Sequence, residues 1–284
     1  MACRLKTLPA AVAPVVIGAA MAYGDGVFHL LSAFFCLVCA LLIQIGTNLA
    51  NDYFDFKKGA DTVERIGPTR VTQSGLLSPE AVKRGFIFVF GLAVVVSLYL
   101  VARGGLPIII IGILSIASGI LYTAGPKPLG YIGLGEFFVF IFFGPVAVAG
   151  TYYVQSFSWS SAAFLAGLGV GALSISMLCV NNYRDMHTDA LTGKRTLAVR
   201  FGKRFAQSEY LASILFASSI PVYLYLLTKE HSKIIVASVI AFIAIPSIQV
   251  VLNKTDGPSL NKVLSFTGKL LVIYSLLFSL GWIL

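Results

Sequence analysis

Nine apolar runs dominate the chain: 8–24, 27–51, 85–102, 106–124, 133–154, 161–182, 209–228, 233–252 and 264–284. Each is about 17 to 25 residues long, the length a helix needs to cross a bilayer. Backbone in hydrocarbon must satisfy its own hydrogen bonds, so every run predicts a transmembrane helix. The first run continues past Pro14 without a small-residue cleavage pattern, and a second follows almost at once. It therefore predicts a span and not a signal peptide. The polar punctuation is uneven. Two stretches are long, 52–84 and 183–208, and they follow the second and sixth runs, four spans apart. The rest are short, and Gly125-Pro126-Lys127-Pro128-Leu129-Gly130 reads as a tight turn. The expected fold is all-α: a polytopic membrane protein with nine transmembrane helices around a central cavity, one domain over 1–284. Polar groups inside the spans must face that cavity.

Composition excludes a soluble globular enzyme. Charged residues make up 12% of the chain and hydrophobic residues 57%, against roughly 25% charged in soluble domains. The net charge of +9 could suggest nucleic acid, but its distribution argues against that partner. Under nine spans, 17 of the 21 Lys and Arg fall at the amino terminus or in the loops after even-numbered spans. Only Arg103, Lys229 and Lys233 fall on the opposite side, with Lys269 inside the last span. That asymmetry predicts a multi-pass protein of the cell membrane, with amino terminus and both long polar stretches cytoplasmic. Cys36 and Cys39 form a C-x-x-C spacing, but within an apolar span and away from His or charge, so they read as packing residues.

The candidate chemistry lies where the second and sixth runs end. Asn51-Asp52-Tyr53-Phe54-Asp55 and Asn181-Asn182-Tyr183-Arg184-Asp185 are near-copies, in a chain with only 12 carboxylates. A carboxylate close to lipid is costly unless paired or bound to a metal. If the helices continue, Asn48, Asp52 and Asp55 share one face, and Asn181, Asp185 and Asp189 share another. Carboxylate and amide oxygens without soft ligands suit Mg²⁺, commonly shared between carboxylates and substrate phosphates. The dispersed histidines His29, His187 and His231 do not suit zinc. Lys57, Lys58, Arg65 and Arg70 follow the first cluster; Lys194, Arg195 and Arg200 follow the second. Cations around metal-binding carboxylates make a receptor for diphosphate. Plainer readings stand beside this one. Asn and Asp cap helices where they leave a membrane, and the cations could serve topology and lipid headgroups alone. Tyrosines such as Tyr122, Tyr131, Tyr152 and Tyr153 read first as interface anchors. Glu136, at the start of the fifth run, must face the cavity or stay hydrogen-bonded and neutral.

The motifs resemble a known family. The run from Asn48 to Asp55 is similar to the first aspartate-rich motif of the UbiA-type intramembrane aromatic prenyltransferases, and Asp185-Met186-His187-Thr188-Asp189 resembles their second, D-x-x-x-D. Within it, Gly59-Ala60-Asp61-Thr62, Arg65 through Arg70 with Gly75, Tyr122 through Gly135, and Gly193 through Gly202 look like the branch that prenylates 1,4-dihydroxy-2-naphthoate in menaquinone synthesis. The wider family has an acid four residues after Asp55, where this chain has Gly59; its next acid is Asp61. The resemblance implies nine helices under a cytoplasmic cap, with weakly repeated motifs at 48–75 and 181–202. It implies Mg²⁺-dependent transfer of a polyprenyl group from its diphosphate to 1,4-dihydroxy-2-naphthoate, with loss of CO₂ and diphosphate. Asp52, Asp55, Asp61, Asp185 and Asp189 are the expected metal ligands, assisted by Asn48, Asn51 and Asn181. Lys58, Arg65, Arg70, Lys194 and Arg195 are the expected contacts to diphosphate or to the acceptor's carboxylate. Two alternatives remain at this stage: a sibling enzyme acting on 4-hydroxybenzoate or homogentisate, and a cation-coupled transporter built on the same carboxylates.

Overall fold

The computed structural model describes residues 4–60, 67 and 70–284. Among them the regular structure is helical throughout. In chain order the helices are α1 (Leu8–Gly24), α2 (Leu30–Lys57), α3 (Pro79–Gly104), α4 (Leu106–Leu121), α5 (Gly135–Phe142) and α6 (Pro145–Ser156). There follow α7 (Ser161–Leu191), α8 (Leu197–Thr228), a 3₁₀ stretch (Ser232–Val239), α9 (Ile240–Ile243), α10 (Ile245–Asn253) and α11 (Gly257–Ile283). Eight helical segments among the described residues are long and apolar enough to cross a membrane; α5 with α6, and Ser232–Asn253, each count as one broken span. The ninth expected span, α4, has 16 residues, a length that crosses only a thinned or locally shielded part of the bilayer. The chain is a multi-pass membrane protein.

Local sequence explains most boundaries. Ser78, Ser160, Thr196 and Asp256 cap α3, α7, α8 and α11 by accepting the N–H three residues on, at 3.2, 3.1, 3.3 and 2.9 Å. The break between α5 and α6 falls at Gly144-Pro145, where the proline cannot donate to the preceding turn. The second polar stretch, expected as a loop over 183–208, is mostly helix. The Asn/Asp cluster continues α7 to Leu191, and α8 begins at Leu197, leaving only 192–196 between them. Within α8, Gly202 has φ +80°, a left-handed kink that a side chain would resist. Polar residues with good helical spacing thus extend both site helices beyond the apolar run.

Two groups of helices, α2–α4 and α7–α11, are joined through α1 and α5–α6. The tightest core lies where α1, α7, α8 and α11 meet, around Ile17, Met21, Leu173, Tyr210, Tyr274 and Phe278, all essentially inaccessible. Outer faces of α3 and α4 expose Phe88, Val95, Ile110 and Leu114, as hydrocarbon-facing surfaces should. A cavity of about 650 Å³ lies between the two groups.

Candidate active site

The polar end of this cavity is built from α2 and α7, one face of each. From α2 come Asn48, Asn51 and Asp55, spaced i, i+3 and i+7; from α7 come Asn181, Asp185 and Asp189, spaced i, i+4 and i+8. Asp52 stands one turn from both Asn48 and Asp55, at the edge of that face, but it does not line the cavity. Its buried carboxylate instead accepts the backbone N–H of Val71 (3.1 Å, Oδ2) and of Thr72 (3.1 Å, Oδ1). This anchors the loop so that Arg70 reaches back: its Nη2 donates to Asp55 Oδ2 at 3.1 Å.

Asp55 is the junction of the site. Its other oxygen accepts the Tyr131 hydroxyl at 2.8 Å and lies 3.4 Å from Lys194 Nζ. Lys194 also lies 3.8 Å from Asp189 Oδ1, so one ammonium bridges the α2 and α7 carboxylates. Across the cavity, Asp185 is held by Arg184, whose Nε donates at 2.8 Å while Nη2 forms an ion pair. The same buried guanidinium donates to Asn181 Oδ1 and, across to α11, to Asn261 Oδ1, each at 2.8 Å.

Two expected contacts lie outside the cavity. Lys58 donates to the carbonyls of Thr123 and Gly125 at 2.8 and 2.9 Å, clamping the 122–130 turn. Burial pushes its ammonium below the usual lysine range, Asp55 opposes that, and Lys194 adds to it. Arg195 is exposed; its N–H donates to the Tyr131 carbonyl at 2.8 Å, while its own carbonyl accepts Arg200 Nε at 3.0 Å. The Arg195 backbone thus holds Tyr131, whose ring packs under Lys58 and Lys194, 4.8 and 4.9 Å from its centroid. Asp61 and Arg65 lie outside the described residues. His187 is exposed and off the shared face. Glu136 is buried and accepts Asn182 Nδ2 at 2.8 Å, a satisfied structural pairing.

Tyr131 and Arg184 are therefore site residues that sequence reasoning passed over. Tyr131 looked like an interface anchor, and only the turn that folds it over α2 distinguishes it. Arg184 had a signal, its place inside the second copy of the motif.

The donor set fits Mg²⁺ of a particular kind. Among the described residues no three His, Cys, Asp or Glu side chains stand close enough to hold an ion alone. Hard oxygen donors instead line two facing helices, with cations between them. Mg²⁺ is commonly bound by one or two carboxylates plus substrate phosphates, and this arrangement suits that mode. Below the polar end the lining is apolar, including Val94, Leu98, Ile109, Ile113, Phe138 and Phe142.

Comparison with known proteins agrees with this picture. The family model described as "UbiA prenyltransferase family" matches residues 11–276. A 1,4-dihydroxy-2-naphthoate octaprenyltransferase of Escherichia coli is 37% identical over 285 residues, covering 98% of this chain and 92% of that protein. The protein of the same name from Haemophilus influenzae is 43% identical over 212 residues, covering 70% of this chain and 67% of its own. A UbiA homolog from Archaeoglobus fulgidus, solved bound to DMAPP and Mg²⁺, superimposes with a TM-score of 0.69 at 14% identity, covering 98% of each chain. That last likeness bears on the fold alone.

Proposed function

This chain belongs to the UbiA prenyltransferase family, and we propose that it transfers a polyprenyl group from polyprenyl diphosphate to 1,4-dihydroxy-2-naphthoate. The products are demethylmenaquinol (the hydroquinone form of demethylmenaquinone), CO₂ and diphosphate, within menaquinone synthesis. The observation that carries the acceptor assignment is the 37% identity to a naphthoate octaprenyltransferase across 98% of this chain. The geometry supports the reaction class: paired oxygen donors and cations at one end of a cavity that is apolar at the other.

In this reading Asp55, Asp185 and Asp189, with Asn48, Asn51 and Asn181, hold Mg²⁺ directly or through water. Bound there, the ion would neutralise diphosphate charge and favour departure of the allylic C–O bonding pair with the leaving group. Arg70 and Lys194 supply N–H donors at the same end, where leaving-group charge develops. Tyr131 and Arg184 hold Asp55 and Asp185 in place. Asp52 keeps Arg70 over the site. The apolar lining holds the first isoprene units and limits water around the allylic carbon until the electron-rich ring attacks it. A new ring–allyl C–C bond forms, and the ring's bond to its carboxylate breaks, releasing CO₂. The remainder of the tail continues into lipid, where it gains more than in water. The charge asymmetry of the loops supports a cytoplasmic polar end. The whole chain acts as one domain.

Expression in a bacterium whose naphthoate prenyltransferase has been deleted tests this directly. Restored menaquinone in the lipid extract is the expected result. Membrane-inserted protein that restores none would contradict the acceptor assignment.

A further inference from the structure

Arg70 and Lys194 both lie against Asp55, at the polar end of α2. A third cation lines the same cavity from a different direction. Arg4 precedes α1 with a left-handed backbone, φ 47° and ψ 65°. That conformation costs a residue with a side chain roughly 1–2 kcal/mol, so it persists only where contacts enforce it. Thr7 provides them. Its N–H and hydroxyl donate to the Arg4 carbonyl at 2.8 and 3.0 Å, and its hydroxyl oxygen accepts Gln44 Nε2 and Asn48 Nδ2 at 3.2 and 3.1 Å. The turn is thereby tied to α2, with Arg4 Nη2 3.5 Å from the Asn48 carbonyl oxygen.

Asn48 lies two turns before Asp55 on α2, so the guanidinium stands toward the inner edge of the polar end, deeper along α2 than the Arg70–Asp55–Lys194 cluster. Diphosphate charge at Asp55 and Asp189 already has Arg70 and Lys194 beside it, which leaves Arg4 for another group. Arg4 is well placed for a second anion, held further into the cavity and beside its apolar lining. The naphthoate acceptor is such a molecule: a flat apolar ring carrying one carboxylate, needed next to the allylic carbon. A planar guanidinium matches a carboxylate with two parallel N–H donors.

Resting on the naphthoate prenyltransfer above, we propose that Arg4 binds the carboxylate of the aromatic acceptor and so positions its ring below the diphosphate site. Loss of CO₂ removes the group that Arg4 recognises, which weakens the hold on the product and favours its release into lipid.

Purified full-length protein in detergent tests this with Arg4→Gln and Arg4→Lys. For Arg4→Gln the KM for 1,4-dihydroxy-2-naphthoate rises about 10- to 100-fold, the range for losing a charge-assisted hydrogen bond. The KM for polyprenyl diphosphate stays unchanged, and Arg4→Lys recovers part of the loss. Equilibrium binding gives a readout apart from turnover. The unsubstituted protein prefers 1-hydroxy-2-naphthoate over 1-naphthol, and Arg4→Gln loses that preference while still binding 1-naphthol. A retained preference, or a shift confined to the polyprenyl diphosphate KM, overturns the assignment. Should the reaction itself be misassigned, the unsubstituted protein forms no prenylated naphthoquinone; should only Arg4 be misassigned, that turnover remains intact.

Discussion

Asp55 gathers Arg70, Tyr131 and Lys194 around one carboxylate, and the residue-scale predictions follow from how differently the acids are held. Asp189 faces the cavity with Lys194 at 3.8 Å, a loose contact. Asp189→Asn should lower turnover at least about 100-fold and cost less thermal stability than Asp185→Asn, because it removes metal-site charge. Asp185 differs, since Arg184 beside it is buried. Asp185→Asn should lose both activity and stability, the latter by about 3–5 kcal/mol if Arg184 finds no other anion. Tyr131→Phe keeps the ring under its two cations and removes the hydroxyl that donates to Asp55 at 2.8 Å. Its turnover should fall roughly tenfold, with melting unchanged. Steady-state rates paired with melting curves in detergent separate the three cases. Equal losses of stability in all of them would contradict this division. The acids themselves were legible in the sequence because carboxylates next to lipid demand a reason. Their division of labour was not. A spacing argument places Asp52 near Asn48 and Asp55, but cannot show that two backbone amides of the following loop take up its oxygens.

At the scale of elements, α2 and α7 matter because they outrun the apolar segments that announced them. Hydrophobicity alone ends these helices at 51 and 182, whereas they continue to Lys57 and Leu191 and carry the acids on the added turns. The apolar pattern reports where lipid stops, and helical hydrogen bonding does not stop there. The break between α5 and α6 was not legible as a packing device. At Gly144 an added Cβ would stand 2.6 Å from the Gly167 carbonyl oxygen and 2.8 Å from the Gly171 Cα. At Gly167 it would stand 2.5 Å from the Pro145 Cα. Gly167 and Gly171 form a small-x-x-x-small stripe that lets the α5–α6 break press on the α7 backbone, about four to five turns from Asp185. Gly167→Ala should destabilise the fold by about 1–3 kcal/mol through overpacking, seen as a lower melting temperature. Melting unchanged by that methyl group would show that the helices separate at little cost.

For the whole molecule, the architecture sets a polar head at one end of a cavity of about 650 Å³ whose other end is apolar. The multi-pass helical character was the most legible property, because run length is carried directly by the apolar pattern. Orientation has its own test. With endogenous thiols removed, a cysteine at position 127 should react with an impermeant maleimide only in opened cells, and one at 229 should react in intact cells. The reverse pattern would turn the site outward. The central claim is tested most directly by product analysis. Detergent-purified protein receives polyprenyl diphosphate with either 1,4-dihydroxy-2-naphthoate or 4-hydroxybenzoate, with Mg²⁺ or with EDTA. A prenylated naphthoquinone and CO₂ formed only from the naphthoate, and only with Mg²⁺, is the predicted result. Product from the benzoate alone, or from neither in folded protein, would contradict it.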